Sequence, residues 1–211
     1  MNKFYFTTQE HNVFNTPKDD SYNAVSLRKS IHEKFLELDT ELQKNNFMSD
    51  FYINDNSRHK TTEYVFTSRT ESIQFMSLRY WNKKFMDSFS KKGELYYYPH
   101  IEIKVNQNGV FIGLYVGNYN KENTSGIKRN WFDIDRQLNE LKEQGYFWEY
   151  DNAKEHYFSW ITDLSHESVL LKRLDYSSNN YEMDSDDYGI DIDDIKKEIM
   201  TLYSLLKKLS S

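Results

Sequence analysis

Glu102, Ile103 and Lys104 lie in a run of alternating apolar and polar residues, IEIKVN, that reads as extended chain. Alternation places the Glu102 carboxylate and the Lys104 ammonium on one face, with Ile103 turned to the other. An acid and a lysine so placed suit Mg²⁺-dependent phosphodiester cleavage. Two carboxylates hold the hard cation, and the lysine orients the attacking water and offsets developing charge. A second carboxylate is then required, and Asp87 and Glu94 stand upstream at suitable separation. The same tripeptide form recurs at Glu140-Leu141-Lys142, within a helical pattern, and no Pro-Asp pair precedes Glu102. A Glu–Lys pair on the solvent face of a sheet explains the motif without any chemistry, and is the favoured reading.

His100 and Glu102 have the spacing of two ligands on one strand, and a distant His156 or His166 would complete a two-histidine, one-carboxylate site for Fe(II). Arg173 would then serve as a clamp for a carboxylate co-substrate. That chemistry belongs with a double-sheet barrel of about eight strands, more than the pattern supplies. The stretch Asp184-Ser185-Asp186-Asp187-Tyr188-Gly189 has the look of a calcium loop. It fails at its fifth position, Tyr188, and at its twelfth, Ile195, where a bidentate Glu belongs.

The middle of the chain suggests a different chemistry. Between Arg58 and Lys104 there are nine Lys or Arg against five Asp or Glu. Arg79, Lys83, Lys84, Lys91 and Lys92 are interleaved there with Tyr80, Trp81, Tyr96, Tyr97 and Tyr98. Such bases neutralise phosphates, and exposed aromatic rings stack on unpaired bases. His100, Tyr115, Arg79, Lys83 and Lys84 are therefore the candidate binding residues. The chain has no phosphate-binding glycine loop, no Gly-x-Ser-x-Gly elbow and no His-Glu-x-x-His.

The elements that must position these residues follow from periodicity. Tyr96 to Gly117 reads as a hairpin turning at Asn108-Gly109, the favoured type I′ pair. That turn pairs Val105 with Ile112 and Ile103 with Leu114, and sets His100, Glu102 and Lys104 opposite Gly117, Tyr115 and Gly113. A slip of two residues changes the partners but keeps the faces. The glycines beside His100 and Lys104 then leave room for a ligand or a packed side chain.

Val25–Asn45, 130–144 and Asp191–Leu209 carry apolar stripes at helical spacing, with Asn23 and Asn45 as expected caps of the first. Short helices are expected over 81–91 and 165–174, and short strands over 47–53, 63–67, 73–81, 146–150 and 156–161. The expectation is an α+β fold: an antiparallel sheet of about five to seven strands built around the central hairpin, with helices mainly on one face. Residues 1–24 read as an N-terminal arm. Residues 25–211 read as a single domain with an acidic loop at 175–190 and a closing C-terminal helix.

Composition sets the outer bounds. Among 211 residues there are 17 Tyr, 14 Phe and 4 Trp, so the core is expected to be aromatic-rich. The absence of cysteine excludes disulfides, thiolate metal sites and a cysteine nucleophile. The first residues lack a signal-peptide core and no run has membrane-spanning length, so a cytoplasmic protein without membrane contact is expected. The formal charge is −6, yet residues 182–194 alone hold seven acids and no base.

These features lead to the expectation of a non-catalytic binding or accessory protein, with protein or nucleic acid as partner. The basic aromatic middle would contact nucleic acid or a partner that processes it. One alternative is a Mg²⁺-dependent nuclease using Glu102, Lys104 and Asp87, with Glu102 on the metal. The other is an interaction module that uses the acidic loop.

Overall fold

Alternation along Ile101 to Leu114 gives the hairpin one face made only of Ile101, Ile103, Val105, Val110, Ile112 and Leu114, and all six are fully buried. Each such side chain contributes about 1.5–3 kcal/mol by leaving water, so this face fixes the sheet against the helices. In this computed structural model the described residues are 3–14, 22–52, 62–66, 73–84, 99–115, 131–149, 169–176 and 189–209. The fold is mixed helix and antiparallel sheet.

The strands are β1 (Lys3–Phe4), β2 (Phe51–Tyr52), β3 (Thr62–Phe66), β4 (Ile73–Asn82), β5 (His100–Asn106), β6 (Gly109–Tyr115), β7 (Phe147–Glu149), β8 (Val169–Leu174) and β9 (Ile190–Asp191). The helices are α1 (Thr8–Asn12), α2 (Tyr22–Gln43), α3 (Trp131–Glu143) and α4 (Ile192–Leu209), with a 3-10 turn at Asn46–Asp50. The larger sheet runs β2-β4-β5-β6-β8-β7, and β3 also pairs with β4. A small sheet joins β1 to β9.

The hairpin turns one step earlier than its Asn-Gly pair predicts. Asn106 pairs with Gly109 and Val105 with Val110, leaving Gln107 and Asn108 as the loop. The Asn106 side chain causes this: its Oδ1 accepts the Asn108 N–H at 2.7 Å, while Gly109 takes a φ of 138° that L residues rarely adopt. The register is therefore slipped by two residues. His100 faces Tyr115, Glu102 faces Gly113 and Lys104 faces Phe111, and the two faces are as expected.

α2 buries Ile31, Phe35, Leu38 and Leu42 of its apolar stripe, and Leu27 of the same stripe is partly buried against the core. It begins at Tyr22, so Asn23 lies inside the helix rather than capping it. Asn45 closes the other end, its N–H and its side-chain amide each donating to the Leu42 carbonyl at 3.0 Å. α4 buries Ile192, Ile195, Ile199, Leu202, Leu205 and Leu206, with Asp193 and Asp194 in its first turn and Lys207 and Lys208 in its last, as the helix dipole favours. α2 and α4 pack on the apolar face of the sheet, and α3 packs against α4.

Two expectations are corrected. Residues 169–174 form the strand β8 rather than a short helix. Val169-Leu170-Leu171 is a continuous apolar run because a strand inside the sheet is covered on both faces, and such a run carries no period to distinguish it from a helix. β4 runs through Trp81, as expected, and on to Asn82, so that the helix expected over 81–91 starts later, at Lys83 and Lys84. The remainder of that helix beyond residue 84, the strand expected over 156–161, and most of the acidic loop at 175–190 lie outside the described residues.

Within the segment read as an arm, the described residues 3–14 contribute to the core. Phe4, Phe6, Val13 and Phe14 are buried, and β1 pairs Phe4 with Ile190. A capping box starts α1: the Glu10 N–H donates to the Thr7 hydroxyl at 3.2 Å, and the Thr7 N–H donates to the Glu10 carboxylate at 2.7 Å. The same carboxylate, 2% exposed, accepts the Ser30 hydroxyl and the Lys34 ammonium, each at 2.7 Å, and so ties α1 to α2. His11 joins this segment to the sheet. One ring nitrogen, Nδ1, lies 2.6 Å from the Asn106 carbonyl and the other, Nε2, 2.9 Å from the Tyr176 hydroxyl.

Candidate functional site

β4, β5, β6 and β8 bring the candidate residues onto the second face of the sheet, opposite α2 and α4. Pairing of antiparallel neighbours aligns them in rows across the strands. Ser77, Lys104, Phe111 and Arg173 form one row. Arg79, Glu102, Gly113 and Leu171 form the next. Trp81, His100, Tyr115 and Val169 form the third.

The Glu102 carboxylate is engaged by a guanidinium. Arg79 Nε lies 3.4 Å from Glu102 Oε2 and donates to the Ser77 hydroxyl at 2.9 Å. Arg79 and Glu102 are each 3% exposed. Removing both charges from water costs several kcal/mol per ion, and the mutual attraction offsets this only while the pair stays intact. Lys104, also 3% exposed, holds its ammonium 5.0 Å from the centre of the Phe75 ring. A cation placed over a ring face is attracted to it.

His100 is fully buried between two rings. Its centroid lies 5.1 Å from that of Trp81 and 4.7 Å from that of Tyr115, the latter pair stacked. Gly113 does not open the face. A Cβ there would lie 2.5 Å from the Leu170 carbonyl oxygen and would meet the Leu171 side chain closer still, so the space is taken by β8. At Gly113, which the observed register sets beside Glu102, the expected gap is filled by packing, and Gly117 lies outside the described residues.

The structure therefore gathers Arg79, His100, Glu102, Lys104 and Tyr115 into one buried layer. It separates them from Lys83 and Lys84, which follow β4 and are both exposed. There the Lys84 N–H donates to the Asn82 side-chain carbonyl at 3.1 Å. Ser77 was not foreseen. It bears no chemical signal of its own, and only its two-residue spacing from Arg79 on a strand places it on this face.

Asp87, Glu94, His156 and His166, which the metal readings require, lie outside the described residues. Among the described residues, no group of three His, Asp or Glu is placed to hold a metal ion. No described helix is long and apolar enough to cross a membrane. No family model matches the chain, and no curated protein matches it.

A second polar cluster lies on the helix side. Glu198 on α4 accepts the Tyr146 hydroxyl and the Lys172 ammonium, each at 2.6 Å. Burial, with the Glu198 carboxylate beside it, pushes the Tyr146 hydroxyl well above the usual phenol range. Tyr80, fully buried, likewise titrates well above its ordinary value through burial and through Asp39, to which its hydroxyl donates at 2.8 Å. A phenol held so firmly in its neutral form is a hydrogen-bond donor that fixes a helix to the sheet, not a base.

Proposed function

We propose that the protein is a non-catalytic binding or accessory protein that contacts nucleic acid, or a partner that processes it, through its basic aromatic middle. The observation that carries this reading is the division of that region's bases. Arg79 and Lys104 are spent inside, on Glu102 and on Phe75, whereas Lys83 and Lys84 are exposed at the end of β4. Exposed lysines retain hydration and mobility, and phosphate contact releases the counterions condensed on the nucleic acid. Among the described residues the contact thus falls to Lys83 and Lys84, with Arg79, His100 and Tyr115 as part of the buried framework.

The Arg79–Glu102 pair also weighs against a Mg²⁺-dependent nuclease. A carboxylate already neutralised by a guanidinium would have to give up that partner to bind a cation. The two readings separate in one experiment. Labelled single- and double-stranded oligonucleotides are incubated with the protein at low salt, with and without Mg²⁺. Retarded but intact oligonucleotide supports the proposal. Mg²⁺-dependent cleavage that is lost in Lys104→Ala replaces it with the nuclease reading. An interaction through the acidic segment predicts neither, but predicts capture by a basic protein.

A further inference from the structure

We draw no further inference here: the strongest candidate, the cluster of His11, Tyr176 and the Asn106 carbonyl where the N-terminal segment meets the hairpin turn, is accounted for by its part in holding the fold together, and nothing in the structure shows a ligand there.

Discussion

Arg79 and Glu102 face each other across β4 and β5, and their burial makes a prediction about stability rather than about chemistry. Glu102→Gln removes the buried negative charge that faces the guanidinium. We expect a loss of about 3–5 kcal/mol in urea unfolding followed by tryptophan fluorescence. A carboxylate kept only for catalysis would leave the unfolding midpoint unchanged. Gly113 makes a second prediction. Its alanine variant must push β8 away from β6, and overpacking of this kind costs about 1–3 kcal/mol. The types of these residues, and the fact that Glu102 and Gly113 share a face of the hairpin, were legible from alternation alone, whereas the pairing of β4 with β5 that sets Arg79 beside Glu102 was not. Their burial was not, because a covered polar face and a solvated one have the same period of two. The fit of Leu171 over Gly113 depends on β8, whose apolar run gave no sign of being a strand.

Single contacts decide how whole elements are held, and two of these contacts titrate. Burial raises the Glu10 carboxyl, but hydrogen bonds from Lys34, the Thr7 N–H and Ser30, together with the Lys34 charge, outweigh it. The carboxyl is held below its ordinary value of 4.5. A folded value lower than the unfolded one stabilises above that range, and the stabilisation is lost as pH falls through the folded value. Glu10→Gln is therefore expected to unfold more easily than the parent at pH 7, with the difference shrinking below about pH 4.5, as read by unfolding midpoints across pH. At the other end of the scale, Tyr203 on α4 packs against Phe51 and donates to Asp50 at 2.8 Å. Burial and that carboxylate push its hydroxyl up to about 12. The contact is present up to the ordinary phenol range near pH 10 and is lost as pH rises toward 12. Subtracting the phenolate absorbance titration of Tyr203→Phe from that of the parent should leave a component with a midpoint near 12. The longer elements were readable because their stripes are long: α2 and α4 follow their predicted positions closely. The hairpin slipped by two residues because the Asn106 side chain competes with the Asn-Gly turn for control of the bend, a local hydrogen bond that pattern cannot rank.

Over the whole molecule, charge is the property that composition reports most directly and the fold then redistributes. The formal charge of −6 conceals a basic middle, and the sheet turns part of that basic content inward. What remains outside among the described residues of that region is the lysine pair after β4. The proposed role rests on this pair, so the decisive measurement is the salt dependence of oligonucleotide binding by the parent and by the Lys83→Ala, Lys84→Ala double variant. The parent is expected to bind at low salt with affinity falling linearly against salt on logarithmic axes. The double variant should bind more weakly, with a slope shallower by about 1.4–1.8, the value for two lost phosphate contacts. No binding by the parent even at low salt, or an unchanged slope in the variant, would contradict the account.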